Sequence, residues 1–357
     1  MKKFLKLLLK ILKWLFIVLL ACILLFFIVR FIGQRKNDKT PPKGINEEMY
    51  VDINGTQQWI SIYGEDINNP VLLYLHGGPG SATSAYDYAF TRKWADVYTV
   101  VTWDQRNCGK SYSKDQDDNE LTYNLMMSDG LEMTKFILEY LGTEKIVLLG
   151  HSWGSIFGAN LALEYPQYYS CFIGTGQFIN MHNNEVAFKE EAKKWVGDNS
   201  EGIELVNKLT IDNYTGDYYY ARNALMEQYD YGLFADGQDY NMTAVQIFNP
   251  YYTLSDFVNW IQSGASPVYM NFLNSDEFTR FYLDDRSTYQ IPYYNINGDK
   301  DYQCNYIIAQ EYFDSVEALF KKMYIMKDTT HGLLESKSEQ FSEVLHEIAE
   351  IEKSRGE

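Results

Sequence analysis

Histidine is scarce in this chain of 357 residues: only His76, His151, His182, His331 and His346 are available. Chemistry that needs an imidazole must draw on those five. There is no H-E-x-x-H pattern and no Cys/His cluster at ligand spacing, so no metal and no other cofactor is expected. Cysteine is equally sparse. Cys22 sits in an apolar run, and Cys108, Cys171 and Cys304 are odd in number and share no motif spacing; they are few for a secreted disulfide scaffold, and cysteine usage does not settle the compartment. Basic charge is missing from most of the chain. Of a net charge of −17, residues 1–43 carry ten Lys or Arg against Asp38 alone, a local +9, leaving −26 on the other 314 residues. Phosphate affinity needs clustered Lys and Arg, so nucleic acid is excluded as a partner. Internal repeats and low-complexity tracts are absent as well. What is present is apolar: 46% hydrophobic and 16% aromatic residues, too much for a disordered chain. The length allows two domains or one large domain with an insertion.

A single long hydrophobic run occurs, WLFIVLLACILLFFIV at residues 14–29, followed by Arg30 and Phe31-Ile32. As a helix, residues 14–33 span about 30 Å, the thickness of a bilayer core. Before it, residues 1–13 place Lys3, Lys6, Lys10 and Lys13 on one helical face, a basic amphipathic segment suited to an anionic leaflet. Leu19-Leu20-Ala21-Cys22 has the form of a lipoprotein cleavage site, but cutting there leaves ILLFFIVRFI at the new terminus, where such proteins turn polar. An uncleaved anchor is therefore expected, with Arg30 snorkelling to the headgroups and the lipid bilayer as a partner. The denser basic flank places the N-terminus inside and the body outside, a single-pass protein of the cell membrane with an extracytoplasmic body. Residues 34–46, with Pro41-Pro42, read as a polar stalk.

Past a hairpin around Asn54-Gly55, short apolar runs alternate with helical patterns. The strand-like runs are 71–75, 98–103, 145–150, 171–174, 292–297 and 322–326; the helical ones are 121–141, 155–165, 305–320 and 338–353. This rhythm predicts an α/β fold with a mostly parallel sheet covered on both faces. Residues 177–286 break it with a polar, Tyr-rich stretch lacking core strands, which reads as a cap inserted between a first core part, 47–176, and a second, 287–357.

The strongest chemical signal is Gly150-His151-Ser152-Trp153-Gly154, because a strand precedes it and a helix follows. In that setting G-x-S-x-G is the nucleophile elbow of the alpha/beta-hydrolase fold, whose glycines relieve crowding around a strained serine. The Trp153 N–H points at a developing oxyanion, and His76-Gly77-Gly78-Pro79-Gly80, after the strand 71–75, offers the Gly78 N–H as a second donor. His76 itself is expected to be structural. A serine needs a base and the base an orienting acid, in the chain order Ser, Asp or Glu, His. His331 lies in a loop after a late strand, whereas His346 falls inside an amphipathic helix, so His331 is the expected base. Gly298-Asp299-Lys300-Asp301 ends a strand, and its second acid opens the next helix; Asp301 is the expected acid, with Asp299 next. Gly109-Lys110-Ser111 has the ending of a P-loop, but Asp104 stands where that loop needs glycine.

HGGPG (76–80), DQRNCGKS (104–111), GHSWGS (150–155), GDKD (298–301) and the late His331 together resemble the proline iminopeptidase family of alpha/beta-hydrolase serine peptidases. The resemblance covers roughly residues 50–175 and 288–350. It implies an eight-stranded sheet, a helical cap, a Ser152, Asp301 and His331 triad, and removal of an N-terminal residue, typically proline, from short peptides. In that family acidic cap residues hold the free amine of the substrate, and Glu185 is the candidate here. The membrane anchor is an addition to the family pattern. An esterase or amidase with the same triad but no amine site is the alternative, and a silent binding module the third. The acidic body should also attract cationic amines, less so in salt.

Overall fold

The computed structural model describes residues 2–117, 119–211 and 213–356. Eight strands form one sheet: β1 (Ile45–Ile53), β2 (Thr56–Gly64), β3 (Val71–Leu75), β4 (Thr99–Trp103), β5 (Ile146–His151), β6 (Tyr169–Thr175), β7 (Tyr293–Gly298) and β8 (Lys321–Met326), in the order β1-β2-β4-β3-β5-β6-β7-β8. The β1/β2 and β2/β4 pairs are antiparallel and all others parallel. The sheet and its connections form an alpha/beta-hydrolase fold. The helices that position the site are α1 (Lys2–Asn37), α2 (Tyr123–Leu141), α3 (Trp153–Glu164), α4 (Met181–Val196), α5 (Gly216–Gln228), α6 (Leu254–Gly264), α7 (Tyr306–Ser315) and α8 (Ser338–Gly356).

Every residue of β3 and β5 is buried, which explains why they read as unbroken apolar runs. Their side chains still alternate. Leu72, Tyr74, Val147 and Leu149 pack under Phe341, Leu345 and Ile348 of α8. Leu73, Leu75 and Leu148 face the other way, against Met133 and Ile137 of α2 and Ile156 and Phe157 of α3. Each such side chain contributes about 1.5–3 kcal/mol on burial, so the strand that leads to the site, β5, is packed on both faces. Between β6 and β7 lie seven helices and, among the described residues, no strand. Helix α7 stops at Ser315, earlier than its sequence pattern suggests, because Glu317 turns extended: its N–H reaches Ser287 O at 2.8 Å and its carbonyl takes the Tyr289 N–H at 2.7 Å.

The N-terminal helix departs from expectation. Residues 3–37 are long and apolar enough to cross a membrane, with a mean hydropathy of 3.1 in the best window. The helix does not give way to a stalk at residue 34 but runs to Asn37, and β1 begins at Ile45. Arg30, expected to snorkel, is buried instead. Its guanidinium donates to Tyr252 O at 2.5 Å and lies 5.6 Å from the Phe257 ring. Gln34 donates to Asn249 O (2.8 Å) and Tyr252 O (2.9 Å), and Asn37 to Phe248 O (3.0 Å). Three polar side chains at four- and three-residue spacing share one helical face and there meet backbone carbonyls before α6. That match prolongs the helix and fastens it to the body.

Candidate active site

Ser152 follows β5 directly and caps α3, with φ 57° and ψ −122°, a left-handed conformation that costs a non-glycine residue about 1–3 kcal/mol. Hydrogen bonds hold it there. The Ser152 N–H reaches Thr175 O at 2.9 Å, and its carbonyl accepts from the Ser155 N–H (2.8 Å) and hydroxyl (2.6 Å). The flanking glycines are required by space. A Cβ on Gly150 would lie 2.0 Å from Gly154 O, and one on Gly154 2.1 Å from Leu75 O. The turn is thus pressed against the end of β3, where the His76–Gly80 loop starts.

The motif around Asp104 holds that loop to the elbow. Gln105 donates through Nε2 to His76 O at 3.2 Å and accepts from Trp153 Nε1 at 3.0 Å. His76 is buried, with Nδ1 2.8 Å from Gly77 O and Nε2 accepting the Gln105 N–H at 3.2 Å. Burial lowers its pKa to about 4, so it serves as a neutral strut. Arg106 forms a two-pronged ion pair with Asp129 of α2, at 2.6 and 2.7 Å. Lys110, at the end of the P-loop-like segment, bonds Glu48 and Tyr251 O at 2.6 Å each. Of this motif Gln105 touches the elbow, while Arg106 and Lys110 tie the segment to α2, β1 and Tyr251.

Asp301 and His331 come together from the loops after β7 and β8. His331 Nδ1 lies 2.7 Å from Asp301 Oδ2, both groups being buried. The other carboxylate oxygen accepts the N–H groups of Gln303 (3.0 Å) and Cys304 (2.9 Å), which fixes its direction. Asp299 instead faces the Thr329 N–H at 3.4 Å, and His346 bonds Asp96 at 2.8 Å on the outer face. The neighbouring His151 ring lies 4.7 Å from His331. Burial, then the approach of His331, push the His151 pKa well below its usual value.

Two cavities meet at Ser152. The first, about 120 Å³, is lined by Gly78, Ser152 and Trp153, with Phe178, Met181 and Phe278 as its apolar wall. Glu185 of α4 also lines it, but its charge is already engaged. Its Oε2 accepts from Arg222 Nε of α5 at 2.8 Å and from the Tyr218 hydroxyl, and Oε1 from Asn184 Nδ2 at 2.8 Å. Arg222 further donates to Gln303 Oε1 at 2.6 Å, tying the cap to the Asp301 loop. The second cavity, about 450 Å³, shares Gly78 and Ser152 and adds His331, Tyr86, Glu227 and Glu335.

Sequence reasoning missed Arg222, Cys304 and Glu335. Cys304 Sγ lies 3.8 Å from Ser152 Oγ, its thiol kept protonated by burial, which raises its pKa. Arg222 is 37 positions from Glu185, with no local pattern linking them. Only Glu335 left a trace, as an acid four residues past His331 in an otherwise apolar GLLES segment.

A family model for the alpha/beta hydrolase fold matches residues 70–331. The chain is 36% identical over 135 residues to the probable aminopeptidase YbaC of Bacillus subtilis (strain 168), covering 38% of this chain and 42% of that protein. It is 34% identical over 125 residues to a proline iminopeptidase of Saccharolobus solfataricus, covering 34% and 38%. The chain thus spans about two-fifths of the length of the curated relatives it matches. A crystal structure of the Mycobacterium smegmatis proline iminopeptidase superposes with a TM-score of 0.61 at 20% identity, covering 87% of this chain and 100% of that one. A membrane phospholipase A, described as a bacterial virulence factor, gives 0.61 at 16% and covers 99% of both chains. At such identities the structures speak for the fold.

Proposed function

The chain belongs to the alpha/beta-hydrolase family, and from that premise we propose that it is a serine hydrolase that releases N-terminal residues, proline or another apolar residue, from short peptides through an acyl-enzyme. The observation that carries this is the 2.7 Å His331–Asp301 contact at a cavity that Ser152 also lines. Ser152 attacks the first peptide carbonyl, and His331 takes the hydroxyl proton and returns it to the departing amine. Asp301 holds the imidazole with Nδ1–H inward, leaving Nε2 for the reaction. The N–H groups of Gly78 and Trp153 hold the oxyanion. Water then releases the acyl group by the same steps in reverse. No metal or other cofactor enters the sequence. The aminopeptidase names of the curated relatives support a peptide substrate.

One observation favours a second reading, an esterase or amidase: Glu185, the candidate amine site, is closed off by Arg222. Hydrolysis of free and N-acylated aminoacyl reporters by the full chain in detergent, with Ser152→Ala as blank, separates the two. Free-amine substrates should be cleaved faster, and equal rates overturn the aminopeptidase reading. Helix α1 anchors the protein in the cell membrane, with the N-terminus inside and the body outside. Leu254, Val258 and Ile261, 48%, 52% and 66% exposed along one face of α6, extend an apolar surface from the helix end fastened at Arg30. Protease added to intact cells should digest the body, and full protection overturns that orientation.

A further inference from the structure

We propose that the cavity on the His331 side of Ser152 receives a cationic side chain on the departing part of the substrate, with Glu335 as its counter-ion. This deepens the hydrolase reading and rests on it. The base that accepts the serine proton must return it to the leaving atom, so the leaving group lies on the side of His331. His331 lines the larger cavity only and Trp153, one of the two proposed oxyanion donors, the smaller only, while Gly78, the other donor, borders both. The acyl part therefore occupies the smaller cavity and the remainder of the substrate the larger.

The two cavities differ in how their buried carboxylates are matched. Glu185 and Glu335 are only 2% and 5% exposed. Glu185 has Arg222. Its own backbone N–H aside, no hydrogen bond or ion pair to the Glu335 carboxylate is found among the described residues, and no Lys or Arg lines its cavity. A lone buried carboxyl is costly to ionise. Burial, then the nearby Asp236, raise its pKa to about 8, and an arriving cation would relieve both effects. Tyr86 lines the same cavity and brings to it an aromatic ring, a group that attracts ammonium and guanidinium ions, while the exposed Glu227 adds a second acid. A residue with this pattern recognises a cation brought by the substrate: Lys or Arg as the second residue of a peptide, or a quaternary ammonium on the alcohol of an ester.

The test uses the full chain in detergent and dipeptides that share one first residue and carry Lys, Leu or Glu second. The expected order of kcat/KM is Lys, Leu, Glu, with Lys about tenfold above Leu. Glu335→Gln should shrink the Lys-to-Leu ratio to about threefold or less, Glu227→Gln should shrink it less, and Glu335→Asp should retain part of it. Equal rates for Lys and Leu in the wild type, or an unchanged ratio in Glu335→Gln, overturn the proposal. If no dipeptide is cleaved, the peptidase reading fails separately, and matched choline and 3,3-dimethylbutyl esters, alike in shape and differing in charge, replace the dipeptides. If no ester is cleaved either, fluorophosphonate labelling of Ser152 is read: lysine amide should protect better than norleucine amide, in the wild type only. Equal protection overturns the proposal.

Discussion

The two buried glutamates beside Ser152 make an internal control. Glu185 is held by Arg222, Tyr218 and Asn184 across two cap helices, whereas Glu335 stands one turn past His331 without a counter-ion. Burial is the same in kind and the outcome opposite, because a buried charge is set by its partners as much as by its exclusion from water. A matched carboxylate stiffens the protein. An unmatched one resists ionisation until a cation approaches it.

Both cavities border Ser152, the proposed nucleophile, so the largest expected effect does not distinguish them: Ser152→Ala should lower kcat about 10⁴- to 10⁶-fold for every substrate and abolish fluorophosphonate labelling. Activity in that variant would mean that the chemistry lies elsewhere. Asp301→Asn, which removes the charge but spares the shape, should cost about 10⁴-fold in kcat with little change in KM. The contrast itself is sharpened by Arg222→Met, which turns Glu185 into a second unmatched carboxylate. About 3–5 kcal/mol of stability should be lost, read by thermal or urea unfolding, and Glu185→Gln in the same chain should restore part of it. A neutral effect would mean that the pair does not hold the cap.

A smaller effect concerns pH. Glu335, its pKa raised to about 8 by burial, binds its proton more tightly folded than unfolded. Its contribution is fully present below the unfolded carboxylate range and is lost as pH rises towards 8. Asp87 and Asp104, raised by burial to about 8 and about 7, act in the same direction. Melting temperature should therefore fall between about pH 5 and pH 8, and less in Glu335→Gln, by the equivalent of about 1–3 kcal/mol. An identical slope in that variant would show that Glu335 stays ionised throughout. Smallest is salt: kcat/KM for cationic substrates should fall a few-fold from about 0.02 to 0.5 M NaCl, and more for Lys than for Leu dipeptides.

Much of this arrangement was legible in the residues. The elbow could be read because its demands are local: Gly150 and Gly154 are dictated by contacts with backbone within a few residues or with the adjacent strand. The order of Asp301 and His331 after strands placed them at the same sheet edge before any coordinates. Arg30 was misread because a lone arginine in an apolar run looks the same whether lipid headgroups or a carbonyl such as Tyr252 O receive it. Glu185 was named for its position, but its partner Arg222 belongs to another helix, and side-chain pairing between helices leaves no periodicity in the chain.

The sheet, the long apolar helix, and Ser152, Asp301 and His331 as candidate serine, acid and base are readable along the chain, because periodic burial, steric need for glycine and chain order are properties of sequence neighbours. Folding alone set which carboxylate is paired, which cavity His331 lines, and where the N-terminal helix meets the body. Those outcomes depend on distances of a few ångströms between segments up to 222 residues apart, and electrostatic matching at that range exists only once the chain has folded.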